Sequence, residues 1–158
     1  MAFGPCRFKS GPGHHFKHIS LLMKIKTKKE GFAYFGIKQT NERWSWSGVS
    51  EDGKTVALTI WTDQKSYNKD NKSYTTSTFN CNNALWKDDQ GNKGRIDHIK
   101  HCKAELNGKF RAIFVTPKDP GVIDVKREIV GIKPMGNIWF QITEFDEETG
   151  EFESKSIP

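Results

Sequence analysis

The clearest pattern of large and small side chains in this chain lies in residues 43–63, RWSWSGVSEDGKTVALTIWTD. Its first part alternates large and small side chains, and residues 55–61 form a second run rich in β-branched residues. Asp52-Gly53 stands between the two runs, and glycine tolerates the positive φ of a tight turn. The pattern predicts a β-hairpin with Trp44 and Trp46 on one face of its first strand. That face is either a wall of the core or a flat aromatic platform.

Further strands are predicted on both sides of this hairpin. In residues 23–29 a methionine, an isoleucine and a threonine alternate with lysines, as in an edge strand, and residues 32–38 predict a more buried strand. Residues 64–90 are polar, and within them residues 73–79 predict a short strand. Later strands, including the arm of a last hairpin, are predicted over residues 110–116, 122–132, 138–145 and 151–153.

One helix is predicted, over residues 94–108. Ile96, Ile99 and Leu106 recur at helical spacing, and Asn107-Gly108 is a typical C-terminal stop. Because no strand–helix–strand unit recurs, a doubly wound parallel sheet is not expected. We predict an α+β protein with a mostly antiparallel, strongly curved sheet or partly open barrel, in which one main helix covers one end.

The length and the charge distribution indicate one basic domain. With 158 residues the chain can bury a substantial core, and we predict a single domain over residues 23–158. Residues 1–22 lack periodicity and predict a flexible leader or a non-native arm. An acidic segment follows residue 143, so residues 1–143 hold 24 Lys and Arg against 13 Asp and Glu, a net charge of +11. Such a body suits binding to a polyanion or head-to-tail self-association.

Cysteine usage and hydropathy bear on the compartment. The three cysteines are scattered, which favours a reducing compartment, and we predict a cytoplasmic protein. No apolar run approaches the length of a membrane span, so no membrane partner is expected. The chain has no P-loop, dinucleotide-binding, nucleophile-elbow or HExxH motif, and we predict no cofactor.

The candidate binding residues are aromatic and basic side chains that are interleaved along the chain. Cations hold phosphates, and aromatic rings stack on unpaired bases at about 1–3 kcal/mol each. For Trp61, inside an apolar run, a place in the core is favoured. Amides of residues 91–94 could hold an anion beside Arg95. The predicted binding residues are Arg43, Trp44, Trp46, Trp61, Asp63, Lys65, Arg95, His98 and Arg127.

Two alternative chemistries involve metals. His98 and His101 stand three positions apart and could share a metal, but a hydrogen bond from His98 to the neighbouring sheet is favoured, and no metal is predicted. Asp52, Asp63 and Lys65 are similar to the acid and acid-x-Lys arrangement of metal-dependent nucleases. In those nucleases the acids bind Mg²⁺ and the lysine orients the attacking water. In this chain, however, the predicted turn at Asp52-Gly53 already accounts for the presence of Asp52.

Several segments together resemble a small domain type that occurs alone in bacterial proteins and attached to HNH-type nucleases. The resemblance covers residues 23–145 and lies in W-S-W-S-G-V, D-G-x-x-V-A-L-T-I-W-T-D, G-R-I-D-H-I, F-R-A-I-F-V and I-W-F-Q-I. It implies a role in DNA recognition by association. Because the chain contains no HNH motif, the resemblance supplies no catalytic residues.

The leading hypothesis is a non-catalytic nucleic-acid-binding module that recognises a modified or extruded base. In it the base stacks on Trp44 and Trp46, its edge is bonded by His98 or Asp63, and phosphates are contacted by the basic residues Arg43, Lys65, Arg95 and Arg127. The alternative is a homodimeric protein that binds a small ligand or partner in an aromatic pocket between the sheet and residues 64–90. A third hypothesis is a minimal Mg²⁺-dependent nuclease.

Overall fold

The computed structural model describes residues 25–39, 41, 43–122 and 127–158, so the predicted leader lies outside it. This part of the chain contains two α-helices, α1 (Lys28–Tyr34) and α2 (Gln90–Glu105), and 3-10 turns at Thr62–Gln64 and Asn83–Leu85. Its strands are β1 (Ser47–Val49), β2 (Val56–Trp61), β3 (Lys65–Asn68), β4 (Ser73–Ser77), β5 (Lys109–Pro117), β6 (Ile129–Pro134), β7 (Trp139–Phe145) and β8 (Phe152–Ile157).

These strands form one mixed sheet in the order β1-β2-β5-β7-β8-β4-β3, with β6 paired to β5 outside that path. β5 is central, because it pairs in parallel with β2 along one edge and antiparallel with β7 and β6 along the other. The remaining pairs are antiparallel, and the sheet is not closed into a barrel. The prediction of an α+β fold with a mostly antiparallel sheet and one main helix is confirmed. Strong curvature stays a prediction.

Alternation along β5 directs its side chains into two cores, because successive residues of a strand point to opposite faces. Phe110 and Phe114 belong to the larger core, which includes Ile99 of α2. Ile113 belongs to the second core, which includes Phe32 of α1. The two helices therefore contribute to the cores on opposite faces of the sheet.

Helix α1 stands where strands were predicted over residues 23–29 and 32–38, so that prediction is wrong. Thr27 is the N-cap residue, and its Oγ1 accepts a hydrogen bond from the Glu30 amide at 3.1 Å. Glu30 Oε1 accepts in return from the Thr27 amide at 3.0 Å. This capping box begins a helix, and the complete burial of Phe32 holds it against the sheet.

The tryptophan hairpin is shorter than predicted. Its turn contains Gly53 at a φ of +74°, in agreement with the prediction, but β1 begins only at Ser47. Trp44 and Trp46 precede the strand. The Asn41 side chain accepts hydrogen bonds from the amides of residues 43 and 44 and so folds this segment into a turn. The alternation of large and small residues at 43–46 therefore does not form a strand.

The remaining predictions hold except at their boundaries. α2 begins at Gln90 rather than at residue 94 and ends at Glu105 rather than at residue 108. The predicted stop directly follows it, with Asn107 and Gly108 at φ values of +56° and +76°. The strands predicted over residues 73–79, 110–116, 138–145 and 151–153 correspond to β4, β5, β7 and β8. Of residues 122–132, the structure places Ile129 onward in β6, and residues 123–126 lie outside the described residues.

Candidate ligand site

A pocket of about 850 Å³ lies at the edge of β2. The pairing of β1 with β2 reaches only Leu58, followed by one backbone hydrogen bond from the Thr59 amide to the Trp46 carbonyl at 2.9 Å. Beyond that point no described strand covers this edge of β2. Side chains of α1, of α2 and of the loop before α2 line the space instead.

The pocket brings tryptophans and cations together. Four of the five tryptophans in the chain and four basic residues line it, against one carboxylate, Asp89, among the described residues. The tryptophans are Trp44, Trp46, Trp61 and Trp86, and the basic residues are Lys28, Arg43, Arg95 and Arg127. The pocket thus contains six of the nine predicted binding residues, namely Arg43, Trp44, Trp46, Trp61, Arg95 and Arg127.

Arg95 is enclosed by aromatic rings. Its guanidinium carbon lies 5.0 Å from the ring centroid of Trp46, 5.2 Å from that of Trp86 and 5.3 Å from that of Phe152. Arg95 Nη2 donates a hydrogen bond to Asn92 Oδ1 at 2.8 Å. Burial lowers the pKa of Arg95 to about 9, so the side chain is still a cation at neutral pH. Cation–π contacts stabilise that charge in part.

Arg127 is engaged inside the protein rather than presented to a ligand. Its guanidinium lies over Trp61, 4.4 Å from the ring centroid, and forms a bidentate ion pair with Asp63. Asp63 also accepts a hydrogen bond from the Gly121 amide at 2.8 Å. Arg127 and Asp63 are therefore engaged with each other, and Trp61 forms a wall of the pocket. The phosphate contact from Arg127 and the base contact from Asp63 stay predictions.

Trp44 and Trp46 occupy different environments. Trp44 is 56% exposed, beside the exposed Arg43. Trp46 is half-buried and meets Trp86 edge-on, with ring centroids 6.4 Å apart. A Cβ atom at Gly91 would lie 2.5 Å from Trp46 Nε1, so glycine allows α2 to approach this indole. Trp46 is thus a fixed wall, whereas Trp44 presents an open ring.

Lys28, Trp86 and Asp89 are among the lining residues that were not predicted from the sequence. Lys28 donates to the Ser45 carbonyl at 3.1 Å, and burial lowers the pKa of its amine. Trp86 donates from Nε1 to the Cys81 carbonyl at 2.9 Å. The signal for Trp86 was its place as the one tryptophan in the polar residues 64–90. Lys28 gave no such signal, because its segment predicted a strand.

His98 and Lys65 do not line the pocket. His98 Nδ1 and Ser47 Oγ lie 2.7 Å apart, so the predicted hydrogen bond from His98 to the sheet is confirmed. The Lys65 amine lies 5.6 Å from the ring centroids of both Tyr74 and Phe114. Both residues therefore contact neighbouring elements of the fold instead of the candidate site.

The contacts of the predicted nuclease residues give no metal site. Asp52 accepts hydrogen bonds within its own turn, and Asp63 is paired with Arg127. In the part of the chain that the structure describes, no group of three His, Cys, Asp or Glu side chains is placed to hold a metal ion. The arrangement of Asp52, Asp63 and Lys65 as a nuclease centre therefore has no structural support.

Comparisons with protein-family models, with curated proteins and with solved structures find no match to this chain. The resemblance of residues 23–145 to a small bacterial domain therefore stays a prediction. No helix among the described residues is long and apolar enough to cross a membrane.

Proposed function

We propose that this protein binds nucleic acid without cleaving it, by holding one unpaired or extruded base in the tryptophan pocket. The observation that carries this proposal is the convergence of four tryptophans with Lys28, Arg43 and Arg95 on a single concave site. Indole rings stack on the flat faces of bases, and cations offset the charge of the phosphates. A volume of about 850 Å³ is also sufficient for a nucleotide.

The exposed rim supplies the first contact in this proposal. Trp44 offers more than half of its surface to a base, and Arg43 beside it can reach the adjoining phosphates. Gln64, Asp89 and Gln90 line the same pocket and carry the donors and acceptors needed for a base edge. In this proposal these three residues, rather than His98 and Asp63, form the hydrogen bonds to the base edge, because they lie close to the tryptophans in the folded chain.

The test is a titration of the full chain with fluorescently labelled single-stranded DNA, single-stranded RNA and duplex DNA. We expect single strands to bind more tightly than the duplex, with tryptophan quenching. The affinity should fall steeply between about 50 mM and about 200 mM salt, because counterions are released from the phosphates. The measurement is fluorescence anisotropy of the nucleic acid, with intrinsic emission followed in parallel.

Matched tryptophan variants locate the interaction. Trp44→Ala should weaken binding by about 1–3 kcal/mol, because the exposed ring stacks on a base. Trp139→Phe is the control: Trp139 lies outside the pocket, with Arg111 3.6 Å above its ring, so this change should leave the affinity unaltered. Absence of binding to every nucleic acid, or equal binding by Trp44→Ala and the wild type, would reject the proposal.

A second candidate function is a pocket for a small aromatic ligand, in a protein that acts as a homodimer. It is favoured by the concave site, whose volume falls in the range of small-molecule sites. In that case a free mononucleotide or another aromatic anion should bind as tightly as an oligonucleotide, with little dependence on salt. Analytical ultracentrifugation of the free and ligand-bound chain tests the dimer.

We also propose a cytoplasmic location. It is supported by free thiols at Cys81 and Cys102 among the described residues, since disulfides are uncommon in reducing compartments. Cys102 is completely buried, its thiol donates to the Lys109 carbonyl at 3.0 Å, and burial raises its pKa to about 12. Fractionation of cells that express the tagged chain tests this location.

A further inference from the structure

The first turn of α2 faces the tryptophan pocket with unused hydrogen-bond donors. Gln90 and Gly91 line the pocket, and their amides have no acceptor in the described part of the chain. Asp89 is the N-cap residue, but its side chain makes no capping hydrogen bond. The N-terminus of a helix carries partial positive charge as well as free amides, so an anion is favoured at this position.

Arg95 provides an independent observation that points to the same ligand chemistry. It lines the pocket, it is only 6% exposed, and no described carboxylate forms an ion pair with it. Its Nη2 donates to Asn92 Oδ1 and to the Gly150 carbonyl, whereas the buried Nε has no hydrogen-bond partner among the described residues. A buried guanidinium without a counter-ion is unfavourable, so a ligand anion would complete this site.

We propose that the pocket holds a phosphate-class oxyanion between Arg95 and the first turn of α2. The ligand is then a nucleotide unit that presents a phosphate to α2 while its base stacks on the tryptophans. The stacking of a base on the tryptophans rests on the proposed function, whereas the binding of an oxyanion rests on Arg95 and the α2 amides alone. Asp89 opposes the anion, but Lys28, Arg43 and Arg95 line the same pocket and outnumber it.

Arg95 differs from Arg127, which was also predicted to contact a phosphate. Arg127 has Asp63 as its counter-ion, while Arg95 has aromatic rings and neutral oxygen acceptors. An arriving phosphate would therefore gain more from Arg95 than from Arg127. The planar guanidinium of Arg95 can donate two hydrogen bonds to one oxyanion, whereas a lysine would act only as a point charge.

The test compares a nucleoside with its 5′-monophosphate at matched ionic strength. For each ligand, the melting temperature of the protein and the dissociation constant of the complex are measured. For the wild type we expect the monophosphate to bind about tenfold more tightly or better, because hydrogen bonds between charged groups are strong. Arg95→Met should abolish this difference and keep or raise the melting temperature without ligand. Lys118→Ala, at an exposed cation outside the pocket, should retain the difference.

Two results would overturn the oxyanion site. One is a wild type that binds nucleoside and monophosphate equally. The other is an Arg95→Met variant that still prefers the monophosphate at any melting temperature, and earlier melting of that variant would make Arg95 a packing residue. If Arg95→Met does not fold, the amide resonances of Gln90 and Gly91 decide, since inorganic phosphate should shift them in the wild type. Unmoved resonances would reject the site.

Oligonucleotides with and without a 5′-phosphate identify the source of the oxyanion and separate this inference from the proposed function. Equal binding of both oligonucleotides to the wild type, lost in Arg95→Met, would assign the site to an internal phosphodiester. Binding that is unchanged in Arg95→Met would reject the oxyanion site and leave the proposed function standing. Monophosphate binding through Arg95 without any oligonucleotide binding would reject the proposed function and retain the oxyanion site.

Discussion

Gly91 and Gly94 stand three positions apart in α2 and meet different surroundings. A side chain at Gly91 would overlap the Trp44 carbonyl and the Trp46 indole, whereas one at Gly94 would meet nothing within 4 Å. We expect Gly91→Ala to lower the free energy of unfolding by about 1–3 kcal/mol or more through overpacking. Gly94→Ala should raise it by about 1 kcal/mol, because alanine favours a helix.

Urea denaturation of the two variants checks this pair, and the same samples serve for ligand binding. Gly94→Ala should bind nucleic acid like the wild type, and Gly91→Ala should bind more weakly because Trp46 is displaced. Equal stability of the two variants would show that Trp46 does not pack on α2 as the structure has it.

For single residues, the sequence predicts which side chains lie at the candidate site better than it predicts what each side chain contacts there. Trp44, Trp46 and Trp61 could be grouped because the first two directly precede the β1–β2 hairpin and the third ends it. The pairing of Arg127 with Asp63 could not be read, because it joins residues far apart in the chain. The same holds for Lys28, which reaches the pocket only because α1 packs beside it.

Two histidines join α2 to the β1–β2 hairpin. His98 pairs with Ser47, and His101 Nε2 lies 2.8 Å from the Gly53 carbonyl. Burial lowers the pKa of His98 below its ordinary 6.5, while Asp97 raises it and His101 lowers it by smaller amounts. The unfolded chain therefore takes up this proton first as the pH falls, so the contribution of His98 to stability is complete above pH 6.5 and declines below it.

We expect the free energy of unfolding to fall as the pH is lowered from about 7.5 to about 5.5, and to fall less in His98→Gln. Urea denaturation at both pH values measures the difference, and NMR titration of the His98 ring measures its pKa directly. A native pKa above 6.5 would contradict this account of the α2–β1 contact.

At the scale of elements, α1 shows why a short apolar segment is ambiguous. Its seven residues include two aromatic residues and a glycine, which favour a strand or a break over a helix. The Thr27–Glu30 capping box was readable, but the burial of Phe32 in the second core depends on the finished sheet. By contrast, the Asn107-Gly108 stop of α2 is a local signal and could be predicted.

At the scale of the molecule, β5 should be the most protected element. It pairs with β2 along one edge and with β6 and β7 along the other, and its apolar residues enter both cores. Its amides should therefore exchange only through global unfolding. β3 pairs with β4 alone among the described strands, so its amides should exchange much earlier.

Hydrogen exchange followed by NMR or mass spectrometry measures this order. In β5, the free energies of exchange should equal the free energy of unfolding from denaturation, and those in β3 should be lower. Exchange of β5 as fast as that of β3 would contradict the central position of β5.

The β1–β2 and β7–β8 hairpins could be predicted because their strands are neighbours in the sequence and are joined by recognisable turns, whereas β3 lies in a polar stretch and was not predicted. The parallel pairing of β2 with β5 could not be predicted, since residues 62–108 intervene and contain a helix and two further strands. The site depends on that pairing, because β2 and β5 place Trp61 and Val115 at the wall of the pocket.

β8 has a consequence for synthesis on the ribosome. It lies between β7 and β4, so the β3–β4 hairpin reaches the rest of the sheet only through β8 among the described strands. During translation that hairpin emerges long before Phe152, which also closes the ring of aromatic side chains around Arg95. The nascent chain must therefore keep an unpaired strand edge in solution until residues 152–157 arrive, and a ribosome that stalls earlier would expose that edge to other chains.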